Sequence, residues 1–251
     1  MSQDFFNFKN KVVLVTGASG NLGSGITKAF SEAGASLILH YHQNLQAIEK
    51  LAQQLTSPYI IVQADLSALE QVKRMFQQIK DQHPQLDVLI NNSGSYPVKA
   101  FLEMNADEWH EVINSNLTSL FYTSQAAATM MSKGASIINI SSIEALYPAY
   151  GHSHYSASKA AILMHGRSLA YELGAQGIRV NNISPGLIWR EGIEEAWPDG
   201  VTRFEQKVPL GRLGTAQDIA HSCLFLASNA ASWITGINLI IDGGISSSPA
   251  F

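Results

Sequence analysis

The sequence predicts an α/β fold: one doubly wound domain, a parallel sheet of about seven strands with helices on both faces. Three observations carry this. Short, β-branched apolar runs alternate with helix-length segments along the whole chain. Several of those runs are apolar at every position, as strands covered on both faces must be. The first run leads into a glycine-rich turn, Gly17-Ala-Ser-Gly-Asn-Leu-Gly23, and then into a helical pattern.

The elements follow in order. Strands are expected at residues 11–16, 36–41, 59–64, 88–91, 136–141, 179–183 and 238–241. Between them, apolar residues recur with helical spacing over 22–33, 45–55, 69–82, 106–131, 153–176 and 216–226. Gly34 and Gly177 stand where C-caps would stop two of these helices. Residues 186–214 break the rhythm, carrying Trp189, Arg190, Glu191, Glu194, Glu195, Trp197, Pro198 and Pro209 without clean periodicity. A long irregular insertion in a compact domain is usually a lid or binding loop, so 186–214 is read as a substrate lid within a single domain over 1–251.

Composition narrows the partners. The chain is 46% hydrophobic and only 14% charged, against a usual charged share of about 25%, which implies helices covered on both sides. The net charge is −4 and there is no basic run. Nucleic acid and anionic membranes are therefore not expected partners. The one cysteine, Cys223, sits in an apolar segment and is read as a buried structural thiol in a reducing compartment. The segment Met1-Ser-Gln-Asp-Phe-Phe-Asn-Phe-Lys9 lacks a basic n-region and a long apolar h-region, and no apolar run reaches the ~20 residues of a membrane span. The expectation is a cytoplasmic enzyme with no metal site.

The turn at Gly17–Gly23 has the strand–turn–helix context in which backbone N–H groups and a helix N-terminus receive a pyrophosphate. Tyr155-Ser-Ala-Ser-Lys159 places a phenol and an ammonium on one helical face, with Cβ atoms about 5–6 Å apart. An ammonium beside a phenol favours the phenolate, so the expectation is that Lys159 draws the Tyr155 pKa down from about 10. Such a tyrosine can exchange a proton with an alcohol or carbonyl oxygen.

With these motifs the chain resembles the short-chain dehydrogenase/reductase family over nearly its whole length, which implies a Rossmann-type fold and nicotinamide cofactor. Thr16-Gly17 through Gly23 is similar to the family's TGxxxGxG turn, with Asn21 in place of the middle glycine and Gly20 one place earlier. Asp65 resembles the adenine-contacting aspartate after the third strand, and Asn91-Asn-Ser-Gly94 resembles NNAG after the fourth. Pro185-Gly186 resembles the turn over the nicotinamide, without the threonine that usually follows. The resemblance implies a cofactor site of Gly17, Ser19, Asn21, Leu22, Gly23, Tyr41, His42, Asp65, Leu66, Asn92, Ser93, Gly94, Tyr155, Lys159, Pro185, Gly186 and Ile188. In Leu39-His-Tyr-His-Gln-Asn44 no acid stands at the end of the second strand to bind a ribose 2′-hydroxyl and repel a 2′-phosphate. Tyr41 is where NAD-preferring relatives carry aspartate, so NADP(H) is favoured over NAD(H); His42 would attract a phosphate when protonated.

At the reacting end Tyr155 and Lys159 match YxxxK, Ser142 lies thirteen residues before the tyrosine, and Asn116 matches the helix asparagine. Ser141 and Asn114 are the neighbouring rivals. The resemblance implies that Tyr155 protonates a carbonyl oxygen, Ser142 stabilises the charge building there, and Lys159 binds the nicotinamide ribose. Asn116 resembles the residue that holds a water connecting the lysine to solvent. Substrate-facing candidates are Ser95, Tyr96, Ser142, Glu144, Tyr150, Leu187, Trp189 and Trp197.

Two sub-families compete for the substrate. The general plan resembles 3-oxoacyl-carrier-protein reductases and related ketone reductases. His40-Tyr-His42 and Tyr96 resemble pteridine reductases, which usually carry aspartate where this chain has Ser142. Carbonyl reduction therefore ranks first and pteridine reduction second. The lid acids Glu191, Glu194, Glu195 and Asp199 outnumber Arg190 and Arg203, which counts against a carrier-protein partner. A catalytically idle dinucleotide-binding regulator is a third reading, opposed by the presence of both Tyr155 and Lys159. The resemblance also implies a homotetramer or homodimer, with the helices at 106–131 and 153–176 packing across subunits.

Overall fold

Strand pairing follows from where the apolar side chains must go. In the computed structural model, which describes residues 6–247, seven strands form one parallel sheet. They are β1 (Val12–Val15), β2 (Ser36–Tyr41), β3 (Tyr59–Gln63), β4 (Val88–Asn91), β5 (Ser136–Ile140), β6 (Arg179–Pro185) and β7 (Asn238–Ile241). Their order across the sheet is β3-β2-β1-β4-β5-β6-β7. Successive side chains serve opposite faces: Val13 and Val15 join one core cluster, with Leu37 and Leu39, while Leu14 joins the other with Ile38. This two-sided burial explains the continuous apolar runs.

The first face is covered by α1 (Asn21–Glu32), α2 (Leu45–Ala52) and α9 (Ala216–Ala227). Cys223, fully buried, packs within that layer, and burial pushes its thiol pKa up. The other face carries α3 (Leu69–Gln82), α5 (Ser119–Ala128) and α6 (Ser153–Leu173). Both glycines expected as stops take left-handed backbone, Gly34 at φ +87° and Gly177 at φ +74°. Of the N-terminal segment read for a leader, residues 1–5 lie outside the described residues. Among the described residues, no helix is long and apolar enough to cross a membrane, and no group of three or more His, Cys, Asp or Glu could hold a metal ion.

Two expectations need correction. The helix expected over 106–131 is α4 (Ala106–Ile113) and α5 joined by a π-helical turn, Asn114–Thr118. Widening one turn re-aims the side chains within it, and such turns recur at functional sites. The segment 186–214 is not irregular throughout. It contains α7 (Ile193–Ala196) and α8 (Pro198–Lys207), with Ile193, Val201 and Leu213 forming a small core of their own beside Leu187 and Phe204. The spacing of Trp197, Val201, Phe204 and Val208 is helical. Pro198 obscured it, yet proline is tolerated at the first helical position.

Candidate active site

The sheet order reverses between β1 and β4, which diverge towards β2 on one side and β5 on the other. In open parallel sheets the crevice at the carboxyl ends of such strands receives ligands. The candidate residues gather at these ends: the turn after β1, the loops after β4 and β5, and the chain leaving β6.

The glycine turn is held from three directions. Gly17 has φ +61° and donates its N–H to His40 Nδ1 at 3.1 Å, while His40 Nε2 donates to Ala64 O at 3.0 Å. These partners assign the tautomer with the proton on Nε2. His40 is buried, and desolvation lowers its pKa to about 4. The sequence places His40 in the second strand and gives its side chain no task; it is a neutral strut between the turn and the end of β3. Asn92 donates from Nδ2 to Thr16 O and Gly17 O, and the N–H groups of Asn92 and Ser93 both donate to Thr16 Oγ1.

The turn fits a dinucleotide phosphate. A Cβ on Gly23 would lie 2.1 Å from Gly17 O, and one on Gly17 would lie 3.0 Å from Ser93 Oγ, so only glycines allow this close approach. The first turn of α1 has neither a side-chain cap nor an acidic residue, leaving the helix's positive end for an anion. Asn21, in the place of a glycine, donates its Nδ2 to Trp189 O at 2.7 Å. That bond ties the turn to the chain leaving β6, where Trp189 N also donates to Gly214 O.

At the adenosine end the residues separate. Asp65 is half-buried, accepts from Ser67 N and Oγ, and has its pKa lowered first by the Ser67 hydroxyl. Tyr41 turns its side chain into the core, which leaves exposed His42 to present a side chain at the end of β2.

The reacting group is assembled from β5, the π turn and α6. Tyr155 is half-buried, and burial pushes its phenol up to about 12, with the Ser142 hydroxyl pulling it back by hydrogen bonding and Glu144 and Tyr96 raising it further. Lys159 is 5% exposed, donates from Nζ to Ile140 O at 2.9 Å, and burial lowers its pKa to about 8. Nζ lies 5.5 Å from the centre of the Tyr155 ring. The expectation that the lysine draws the phenol down is thereby corrected: burial raises the phenol, and the group that pulls it back is the Ser142 hydroxyl.

Asn116 is buried in the π turn, accepts from Ser95 N at 2.7 Å, and donates to Ser95 O and Ser158 Oγ. Both amide hydrogens are committed, so the side chain fastens the loop after β4 and does not offer itself freely to water. The rivals have other work. Ser141 Oγ donates to Lys159 O, and exposed Asn114 accepts from Thr118 Oγ1.

Of the substrate-facing candidates, Tyr96 comes closest to the reacting group, its ring 6.2 Å from that of Tyr155 in an edge arrangement. On the same tyrosine lies His152, centroid distance 5.6 Å, which sequence reasoning missed although it stands three residues earlier. Its Nδ1 pairs with Glu144 at 2.9 and 3.1 Å. Trp197, between α7 and α8, instead sets its indole against Gly200 of α8, where an added Cβ would clash with the ring. Trp189 and Tyr150 are exposed.

Comparison with known proteins agrees with this geometry. A family model described as "Enoyl-(Acyl carrier protein) reductase" matches residues 17–246. A 3-oxoacyl-[acyl-carrier-protein] reductase FabG of Chlamydia pneumoniae is 37% identical over 240 residues, 94% of this chain and 96% of the relative. A 3alpha-hydroxysteroid dehydrogenase of Mediterraneibacter gnavus is 36% identical over 95% of this chain and 98% of its own. Among solved structures, a short-chain dehydrogenase/reductase from Brucella melitensis, titled glucose/ribitol dehydrogenase, superposes with TM-score 0.91 at 32% identity, covering 96% of this chain and 98% of that one.

Proposed function

Because this chain belongs to the short-chain dehydrogenase/reductase family, an oxidoreductase family acting on CH–OH and C=O groups, we propose that it is an NADP(H)-dependent carbonyl reductase/secondary alcohol dehydrogenase with Tyr155 as its acid/base. The observation that carries this reading is the convergence of Ser142, Tyr155 and Lys159 from β5 and α6 beside Asn116 and the glycine turn.

The nicotinamide dinucleotide supplies or accepts the hydride when bound. Gly17, Ser19, Asn21, Leu22 and Gly23 would hold its phosphates, and Asp65, Leu66, Asn92, Ser93 and Gly94 would border the adenosine and its ribose. Pro185, Gly186 and Ile188 would close on the nicotinamide, with Lys159 on its ribose. Ser142 hydrogen-bonds the substrate oxygen and stabilises charge building on it. Tyr155 gives that oxygen a proton in reduction and takes it back in oxidation. A phenol held near 12 is protonated at neutral pH, which suits the reductive direction. Lys159, at about 8, carries most of its charge there and stabilises the phenolate that forms in turnover.

The preference for NADP(H) is supported by the absence of an acid at the end of β2 and by exposed His42. Residues 186–214, with their small core and the Asn21 bond, are proposed as the substrate lid. The single buried cysteine supports a reducing, cytoplasmic setting, and exposed Phe121, Met164 and Tyr171 on α5 and α6 support a homodimer or homotetramer. Reduction of a pterin is the second reading, supported by Tyr96 beside Tyr155.

The test is NADPH oxidation over ketones, acyl thioesters and dihydropterin. Tyr155→Phe is expected to abolish turnover while NADPH still binds with near wild-type affinity by fluorescence titration. Wild-type turnover in that variant would sink the assignment. Turnover of dihydropterin alone would favour the second reading.

A further inference from the structure

The mechanism leaves one carboxylate–imidazole pair beside the reacting phenol without a task. Glu144 follows Ser142 by two residues, and its N–H donates to Ser142 Oγ at 3.1 Å. Its carboxylate takes His152 Nδ1 at 2.9 and 3.1 Å and accepts from Ser156 Oγ at 3.4 Å. The imidazole in turn sets its edge against the Tyr155 ring, 5.6 Å between centroids. The backbone of Glu144 thus touches Ser142, and the ring that its carboxylate holds touches Tyr155.

Two carboxylate contacts place a proton on Nδ1, so the neutral ring carries its lone pair at Nε2. That atom is buried and has no hydrogen-bond partner among the described residues. Ser95 Oγ, on the residue before Tyr96, is buried and without a hydrogen-bond partner among the described residues as well. A buried acceptor left without a hydrogen bond is costly, and a native structure seldom carries one without reason.

We infer that Glu144 and His152 form a second polar subsite, which accepts a hydrogen bond from a hydroxyl on the carbon next to the reacting carbonyl. The substrate class is then the uncharged α-hydroxy ketone and its product the vicinal diol. The carbonyl carbon gains the hydride from reduced nicotinamide and the carbonyl oxygen gains the Tyr155 proton; the neighbouring hydroxyl is unchanged. An α-keto acid is disfavoured twice, because its carboxylate meets both the Glu144 charge and the Nε2 lone pair. This subsite rests on the carbonyl/alcohol reading above.

A matched four-carbon set separates the two ideas: acetoin, butan-2-one and 2-oxobutanoate, each with NADPH. The expected kcat/KM order is acetoin first by at least about tenfold, the worth of one such bond, and 2-oxobutanoate last. His152→Phe keeps an aromatic edge against Tyr155 but removes Nε2, and should bring the acetoin-to-butan-2-one ratio down towards one. If that variant does not fold, Glu144→Gln, which keeps a partner for Nδ1 without the charge, should raise 2-oxobutanoate relative to butan-2-one by at least about threefold. Equal wild-type rates for acetoin and butan-2-one would overturn the subsite while leaving the ketone reading intact. A fall in all three substrates by the same factor in His152→Phe would overturn it too, making His152 a support for Tyr155 alone. No turnover of the three by a protein that reduces another ketone or an acyl thioester would overturn the subsite alone, whereas silence on every carbonyl by a protein that binds NADPH would remove the carbonyl reading and the subsite with it.

Discussion

Tyr155 and Lys159 show how burial reverses an inference drawn from spacing alone. Four residues apart on α6, they do share a face, but each is desolvated, and each is pushed towards its neutral form. The pH behaviour follows in sign. Oxidation needs Tyr155 to accept a proton, so its kcat/KM should rise with pH from 6 to 8 and flatten near 8, where Lys159 loses its charge. Reduction should not rise over that range. Initial rates in both directions check this, and an oxidation rate that falls with rising pH would contradict it. His40 yields a stability prediction. Its folded pKa near 4 lies below the ordinary 6.5, so the unfolded chain binds the proton first, and stability is complete above about 6.5 and lost as pH falls towards 4. Across that window the loss is about 3 kcal/mol. Urea unfolding from pH 7 to 5 should weaken wild type more than His40→Asn, and equal slopes would count against the strut.

At the scale of the element, the π turn and the chain leaving β6 matter most. The π turn puts Asn116 where its amide clasps both backbone groups of Ser95, so the loop after β4 is fixed against α6. Asn21 performs a similar task for the lid through a single bond to Trp189 O. Asn21→Ala should therefore speed hydrogen exchange in residues 187–207 and raise the NADPH Kd about three- to tenfold, with little change in melting temperature, since one exposed hydrogen bond is worth about 0.5–1.5 kcal/mol. Unchanged exchange in that segment would show that the lid stands without the bond. Strand limits were legible to within a residue or two because apolar alternation between the faces dictates them. The helices of the lid were not, because their apolar stripe is short and proline interrupts it at a position where proline is harmless.

At the scale of the molecule, a chain only 14% charged leaves large apolar side chains at the surface, including Phe121, Met164 and Tyr171 on α5 and α6 and Trp233 near the start of β7. Light scattering on the purified protein should give a dimer or tetramer mass, and a monomer at micromolar concentration would refute the assembly proposed. The sequence by itself determined the seven-strand parallel plan, its order of strands and helices, the phosphate turn and the candidate serine, asparagine, tyrosine and lysine. Local periodicity sets the plan, the strand–turn–helix context sets the phosphate turn, and the four candidate residues follow from resemblance to the family's motifs. Only the tertiary structure decided that His40 is a neutral strut, that Asn21 reaches the lid, that Tyr41 turns inward, and that Glu144 and His152 meet beside Tyr155. The reason is physical: desolvation and contacts between separate elements depend on which groups the fold brings together, and no single segment contains that information.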